Sequence, residues 1–216
     1  MINYFKFALN VIVFIGFSSC QAGSYDDFFV AIKRDNAWTM SDLLRRGFDP
    51  NTPNPQGVHG LILAIQEPSF RVIDLLIAWP ATRVEARNSV DESPLMLAAL
   101  RGYLDICQKL VARDADVNKT GWTPLHYAAT GGHVEIVQLL LERHAYVDAE
   151  SPNGSTPLMM AAMYGNASTV KVLIDAGADP GLLNQDKVSA LDFARKANKT
   201  DAVALIEAAL KSRSAK

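Results

Sequence analysis

Short apolar segments with helical spacing recur along the chain, and polar segments rich in Gly, Asn and Asp separate them. Within residues 134–141, the apolar positions Ile136, Leu139 and Leu140 follow the i, i+3, i+4 spacing of one helix face. The preceding segment contains Ala128-Ala129, whose small side chains would let a second helix approach closely. The pattern therefore predicts pairs of short helices joined by turns.

One seven-residue pattern opens each predicted pair. It recurs five times, with starts at His59, Ser93, Thr123, Thr156 and Ser189. The starts are 34, 30, 33 and 33 residues apart. In two copies a threonine can cap the helix start, and the proline after it suits the first helical position, which needs no N–H donor. Self-similarity at this period indicates an array of units that bury their apolar faces against one another.

Turn residues lie at fixed places within each unit. Gly102, Gly132 and Gly165 follow the small-residue segment, where a left-handed backbone commonly ends a helix. Asn153-Gly154 is typical of a tight turn and predicts the tip of a hairpin. Each unit is therefore predicted to contain two helices and one hairpin.

These residues resemble the ankyrin repeat over residues of about 25 to 210. The resemblance rests on the T-P-L-H-x-A-A signature at 123–129, the G-H-x-x-I-V run at 132–137, and closing segments such as Gly177-Ala178-Asp179. The copy at His59 departs from the family pattern, because His59-Gly60 replaces the Thr-Pro pair. The resemblance implies an all-α fold, an ankyrin-repeat solenoid of stacked helix-turn-helix units with hairpin fingers and about six units including caps.

The predicted repeat domain covers residues 23–213. We expect an N-terminal cap at 25–56, repeats at 57–90, 91–120, 121–153 and 154–186, and a C-terminal cap at 187–213. Terminal units of such arrays need a polar outer face. In the N-terminal cap the second helix is predicted to run through Met40, Leu43 and Leu44. In the C-terminal cap we expect these side chains to face water: Arg195, Lys196, Lys199 and Asp201.

The first 22 residues predict a secretory signal peptide. Lys6 is followed by an apolar stretch at 7–17 and by small residues, and the stretch is too short for a membrane-spanning helix. Two kinds of cleavage remain open. Cys20 and Ala22 fit a small-x-small site cut after Ala22, whereas Phe17-Ser18-Ser19-Cys20 resembles a bacterial lipobox in which Cys20 would be lipidated. We therefore expect export to the periplasm or cell envelope, with lipid anchoring to a membrane as the alternative.

Composition and motifs argue against other classes of function. The 216 residues include 21 Lys+Arg and 23 Asp+Glu, so the basic field of a nucleic-acid-binding protein is missing. The sequence contains no phosphate-binding loop, no zinc motif and no nucleophile motif. We expect no catalytic residue, no metal, no cofactor and no small-molecule substrate. The resemblance implies that His126 and His133 make structural hydrogen bonds, and the apolar pattern around Cys107 predicts that its side chain is buried.

The resemblance implies a protein partner held on a concave surface formed by the fingers and the first helices. Residues that flank the structural motif there are the candidates for partner binding: Trp122, Tyr164, Met163, Arg101, Glu92, Leu100, Thr130 and Ser155. Aromatic, Met and Arg side chains dominate interface energies, which favours the first four. In an alternative interpretation, Trp122 folds back onto its neighbouring finger.

The predicted function is that of an exported protein–protein interaction module. The resemblance extends to exported ankyrin proteins suggested to protect an enzyme such as a catalase, and an immunity protein is a second possible role. The alternative is a membrane-tethered structural lipoprotein that uses Cys20.

Overall fold

The computed structural model describes residues 23–214. The predicted signal peptide and both of its cleavage alternatives, including Cys20, lie outside the described residues. Within the described range the regular structure is helical, and the only β-type pairings are two isolated bridges, Pro53 with His59 and Leu183 with Ser189. The all-α prediction is therefore confirmed.

Twelve helices form six consecutive pairs in the described residues. The first, α1, covers residues 23–33. The others are α2 (Ala37–Arg45), α3 (Gly60–Gln66), α4 (Phe70–Ala78), α5 (Pro94–Arg101), α6 (Leu104–Ala112), α7 (Pro124–Gly131), α8 (Val134–Glu142), α9 (Pro157–Met163), α10 (Ala167–Asp175), α11 (Ala190–Lys196) and α12 (Thr200–Ser214). The chain divides after Arg83 into two compact units.

The first unit, described from residue 23 to Arg83, packs its helices around aromatic and aliphatic side chains. Phe28 is fully buried, and its ring stacks on Phe48 with the centroids 4.9 Å apart. A Cβ atom at Gly60 would lie 2.6 Å from Cζ of Phe28. This contact explains why glycine replaces proline in the copy at His59, because the Phe28 ring occupies the space that a side chain would need.

The second unit, from Val84 onward, arranges its helices in two rows. The first helices lie side by side in the order α5, α7, α9 and α11, and the second helices follow in the order α6, α8, α10 and α12. The alanine pairs of α5, α7 and α9 are fully buried: Ala98, Ala99, Ala128, Ala129, Ala161 and Ala162. These small side chains therefore lie in the interior of the helix array.

The first helices of this unit begin as predicted. The Thr123 hydroxyl accepts the backbone N–H of His126 at 3.4 Å, and the Ser93 hydroxyl accepts that of Met96 at 3.2 Å. Thr156 caps α9 in the same way, and a proline follows each of these three caps. The caps satisfy backbone donors that a helix start otherwise leaves unpaired.

The ends of the first helices match the prediction at two of three glycines. Gly102 and Gly132 have φ of +76° and +70°. This is the left-handed conformation, which is strained for residues that carry a Cβ atom. The expectation was wrong at Gly165, which lacks a positive φ and follows the right-handed cap Tyr164. A Cβ atom at Gly165 would lie 2.4 Å from the Ala129 carbonyl oxygen, so glycine is required there for space.

The predicted hairpin tip is present at Asn153-Gly154. The Ser151 N–H donates to the Ser155 carbonyl at 3.0 Å, the Gly154 N–H donates to the Ser151 carbonyl at 2.8 Å, and Gly154 has φ of +74°. These bonds close a tight turn without forming a strand.

Two side chains differ from the expected burial. In α8 the buried positions are Ile136, Val137 and Leu140, whereas Leu139 is half-buried. The helix contacts α6, α7 and α10, so its buried face is broader than a single i, i+3, i+4 stripe. This face includes Val137 in place of Leu139, and it is therefore rotated relative to the stripe that the sequence predicts. Lys199 is also half-buried rather than turned to water, because its Nζ donates to the Gly165 carbonyl.

Candidate functional site

A cleft with a volume of about 290 Å³ opens on the second unit. Its lining combines residues just before the first helices with residues on those helices or at their C-terminal ends: Glu92, Leu100, Trp122, Tyr127, Thr130, Met160 and Tyr164. Because α5, α7 and α9 lie side by side, residues at equivalent positions of successive repeats meet at one surface. Glu92 and Trp122 each stand immediately before the cap of a first helix, and Leu100 and Thr130 each stand seven residues after that cap.

Hydrogen bonds hold the acidic side of the cleft in place. The Tyr127 hydroxyl donates to Oε1 of Glu92 at 2.8 Å, and the Asn88 amide donates to Oε2 of Glu92 at 2.7 Å. The Glu92 backbone N–H donates to Oδ1 of Asn88 at 2.9 Å, which closes the loop before α5. Burial and the neighbouring Glu92 carboxylate raise the pKa of Tyr127, so Tyr127 is a neutral donor at any physiological pH.

The Trp122 ring is positioned by a histidine that is itself fixed. Trp122 meets His126 edge to face, with ring centroids 5.2 Å apart and an interplanar angle of 77°. His126 is fully buried, its Nε2 lies 2.9 Å from the Ser155 carbonyl oxygen, and its Nδ1 accepts the Thr123 N–H at 3.2 Å. Because a carbonyl only accepts, Nε2 carries the proton. Trp122 is half-buried and lines the cleft while it packs on this rigid support.

Five of the eight predicted partner-binding residues line the cleft: Glu92, Leu100, Trp122, Thr130 and Tyr164. Tyr164 is 60% exposed, and Leu100 is 37% exposed. Arg101 is exposed and Met163 is half-buried, but neither lines the cleft. Their binding roles, and those of the five lining residues, stay predictions.

The expectation that Ser155 faces a partner is corrected by its burial. Ser155 is 1% exposed, although it occupies the same repeat position as Glu92 and Trp122. Its N–H donates to the Ser151 hydroxyl at 3.0 Å, and its hydroxyl accepts the Asn184 amide at 3.4 Å. The side chain therefore joins two neighbouring hairpins and is not available at the surface.

Two further residues of the lining, Tyr127 and Met160, are not among those predicted from the sequence. Both occupy the one variable position of the T-P-L-H-x-A-A signature, four residues after the cap. Residue types at that position could have revealed them, because a position that varies inside a structural motif is free to face a groove. In the first copy of this unit the same position is Leu97, which is buried like Met160 but does not line the cleft.

The side chains of Cys107, His126 and His133 are buried or hydrogen-bonded within the fold. Burial lowers the pKa of His126 to about 4 and raises the pKa of Cys107 to about 12. Cys107 is fully buried, as predicted. The Nε2 of His133 lies 3.0 Å from the Leu100 carbonyl, so both histidines make the expected structural hydrogen bonds. Residues 23–214 contain no group of three His, Cys, Asp or Glu side chains with the geometry to hold a metal ion.

No helix among residues 23–214 has the length and hydropathy needed to cross a membrane.

The repeats match a known family. A family model described as ankyrin repeats, in three copies, matches residues 28–120, 61–151, 109–184 and 144–212. The crystal structure of an ankyrin repeat domain from Acinetobacter baumannii AYE is similar to this fold with a TM-score of 0.74 and 27% sequence identity. That comparison covers 84% of this chain and 96% of the other.

Two curated relatives contain similar segments within much longer proteins. The ankyrin repeat and KH domain-containing protein mask-1 of Caenorhabditis elegans is 34% identical over 134 residues, which are 60% of this chain and 5% of that protein. The ankyrin repeat and SAM domain-containing protein 6 of Mus musculus is 28% identical over 152 residues, which are 70% of this chain and 14% of that protein. Because the family model matches most of residues 28–212 and the helix pairs repeat in the order it requires, the chain belongs to the ankyrin-repeat family.

Proposed function

We propose that this chain is an exported module that binds one protein partner through the cleft of its second unit. Ankyrin repeats are protein–protein interaction modules, and the family membership gives the chain that general role. The cleft carries the more specific proposal, because it places Trp122, Tyr127 and Tyr164 together on the surface formed by the first helices. Aromatic side chains in such pockets supply much of the binding energy at protein interfaces.

A binding role fits the cleft better than a catalytic one. Three of its polar side chains are bonded within the protein, since the Tyr127 hydroxyl donates to Glu92 and the Thr130 hydroxyl donates to the His126 carbonyl at 2.8 Å. The imidazole of His126, which packs against Trp122, is buried and holds two structural hydrogen bonds, and that of His133 is engaged with the Leu100 carbonyl. Ankyrin-repeat proteins are generally non-enzymatic, which supports the same choice.

Export to the periplasm or cell envelope belongs to this proposal. Its support is the basic and apolar pattern of residues 1–22. The similar domain from Acinetobacter baumannii is consistent with a bacterial setting. In that compartment the partner would be an exported enzyme that the module protects, such as a catalase, or a toxin that it neutralises as an immunity protein.

The cleft assignment is tested by affinity capture from envelope extract, followed by titration of the purified partner. The bait variant is Trp122→Ala/Tyr164→Ala. The matched control is Trp38→Ala/Tyr146→Ala, because those two side chains are 76% and 69% exposed and do not line the cleft. We expect the cleft variant to weaken partner binding at least about tenfold, and the control to bind like the wild type. Equal binding by the wild type and the cleft variant would exclude the cleft as the binding surface.

A structural lipoprotein tethered through Cys20 is the second candidate, and Phe17-Ser18-Ser19-Cys20 is the observation that favours it. Mass spectrometry of the mature protein distinguishes the two. A diacylated Cys20, together with recovery in the membrane fraction that Cys20→Ser abolishes, would establish the tether. A mature chain that begins after Ala22 would exclude it.

A further inference from the structure

We propose that the cleft of the second unit receives an arginine side chain of the partner. This inference rests on the proposed function, because it names the chemistry recognised at the same cleft. Of the seven lining residues, three are aromatic, one is acidic and none is basic. The lining therefore has the composition of a site for a cationic group.

The Glu92 carboxylate supplies the charge complementarity. Each of its oxygens receives one hydrogen bond, from Tyr127 at 2.8 Å and from Asn88 at 2.7 Å. A carboxylate offers about four acceptor positions, so both oxygens can accept further donors. A partner that covered the cleft with apolar groups alone would take this charge out of water without compensation, which is unfavourable. A cationic group removes that cost.

Two basic side chains that pair with acids next to Glu92 in the loop before α5, or close to it, are already engaged. Arg87 forms an ion pair with Glu85 at 2.7 Å, and Lys119 pairs with Asp91. Neither lines the cleft, and the exposed Arg101, which follows the lining residue Leu100, does not line it either. The cation that compensates Glu92 in a complex is therefore best supplied by the partner.

The aromatic lining favours a guanidinium group over an ammonium group. Trp122 and Tyr164 expose ring surface on which a planar cation can stack, and tryptophan gives the strongest cation–π attraction. A guanidinium is flat and weakly hydrated, and it can direct N–H groups to a carboxylate while its plane lies on a ring. The ammonium of lysine is compact and strongly hydrated, and it has no flat face that could stack on a ring.

The experiment titrates the whole mature protein with three capped tripeptides, acetyl-Gly-Xaa-Gly-amide, in which Xaa is arginine, lysine or citrulline. Citrulline has nearly the shape of arginine without its charge. Binding is followed by the indole N–H signals in NMR spectra, where Trp122 reports on the cleft and Trp38 and Trp79 serve as internal controls. We expect the arginine peptide to shift the Trp122 signal selectively, and to bind about fivefold more tightly than the lysine or citrulline peptide.

Charge dependence is tested in two ways. Glu92→Gln should weaken binding of the arginine peptide about fivefold, whereas Glu135→Gln, at an exposed position on α8, should leave it unchanged. The amide introduced by Glu92→Gln would also disturb the hydrogen bond from Asn88, so the wild-type protein is titrated in parallel at rising NaCl concentration. Binding of the arginine peptide should weaken with salt, and binding of the citrulline peptide should not.

Equal binding of the arginine and citrulline peptides would overturn the assignment of a cation. Equal or tighter binding of the lysine peptide would overturn the assignment of arginine. Either result leaves the proposed function unaffected if the Trp122→Ala/Tyr164→Ala variant still fails to capture the partner from envelope extract. If that variant no longer binds the arginine peptide but captures the partner as well as the wild type does, the proposed function is rejected and the cation site is retained.

Discussion

The Nε2 atom of His126 lies 2.9 Å from the carbonyl oxygen of Ser155, 29 residues further along the chain. This bond joins the first helix of one repeat to the hairpin finger of the next. The same imidazole accepts the Thr123 N–H through Nδ1, so both ring nitrogens are used by the neutral form. Protonation of Nδ1 would end its hydrogen bond from the Thr123 N–H and would place a positive charge in a fully buried site, where the Thr123 hydroxyl at 2.9 Å is the neighbouring acceptor.

The free energy of unfolding should therefore decrease as the pH falls below 6.5. The pKa of His126 is lowered from 6.5 to about 4 in the folded protein, with burial as the main cause. Above pH 6.5 both folded and unfolded forms are neutral at this group, and its full contribution is present. Between pH 6.5 and 4 only the unfolded chain takes up the proton, which costs about 2 kcal/mol of stability between pH 7 and pH 5.

Urea denaturation of the wild type and His126→Gln at pH 7, 6 and 5 measures this contribution. The variant should be less stable at pH 7, and its stability should fall with pH by about 2 kcal/mol less than that of the wild type. The other histidines are common to both proteins and cancel in the comparison. Parallel pH profiles for the two proteins would show that His126 is not the group responsible.

Gly165→Ala should destabilise the protein by about 2 kcal/mol, because the added methyl group has no room. The new Cβ would lie 2.4 Å from the Ala129 carbonyl oxygen and 3.0 Å from Cα of Ala161, so backbone would have to move in two helices. Gly181→Ala is the matched control, because its nearest neighbour is a side-chain oxygen of Asp179 at 3.3 Å. Denaturation midpoints that are equal for the two variants would contradict the packing argument.

Asp148→Asn should raise the free energy of unfolding at pH 7 by about 0.5 kcal/mol, a small gain because the side chain is partly exposed. Burial raises the pKa of Asp148 above 3.8 in the folded state, so its charge opposes folding at neutral pH and less so as the pH falls. Asn118, which closes its own repeat as Asp148 does, shows that an amide can accept the backbone N–H of the next loop. Its Oδ1 accepts the Tyr146 N–H at 2.8 Å, and its Nδ2 donates to the His144 carbonyl at 2.8 Å.

Urea denaturation at pH 7 and pH 4 tests this effect, and the expected gain is smaller at pH 4. The exposed Asp186→Asn serves as the control and should change the stability little. A loss of stability in Asp148→Asn at pH 7 would mean that the charged hydrogen bonds to the Asp179 N–H, at 3.0 and 3.1 Å, outweigh the cost of burial.

Gly60→Ala should destabilise the first unit by about 2 kcal/mol through a clash with the Phe28 ring. Phe28→Leu removes the atoms that clash, at the cost of the cavity that it leaves. The double variant should therefore be more stable than the sum of the two single effects predicts, by at least about 1 kcal/mol. A double-mutant cycle from thermal or urea unfolding measures this coupling, and strictly additive effects would argue against the contact.

The candidate surface was predicted only in part from the sequence. The positions that flank the repeat signature gave Glu92, Leu100, Trp122, Thr130 and Tyr164, which the fold does bring to one cleft. The same reasoning also gave Ser155, which is buried, and it omitted Tyr127, whose hydroxyl holds Glu92. Repeat position alone does not specify exposure, because the covering atoms come from the next repeat.

The amino-acid sequence by itself determined the helix pairs, their caps and their period. These features depend on interactions within a few residues, such as the hydroxyl of Thr123 on its own helix start and the apolar spacing of α8. Only the tertiary structure decided which flanking residues reach the surface, why Gly165 must be glycine and how the Tyr127 hydroxyl reaches Glu92. Those outcomes depend on backbone and side chains of another repeat, such as Tyr127, 35 residues from Glu92, and the distances to them are set only when neighbouring repeats pack together.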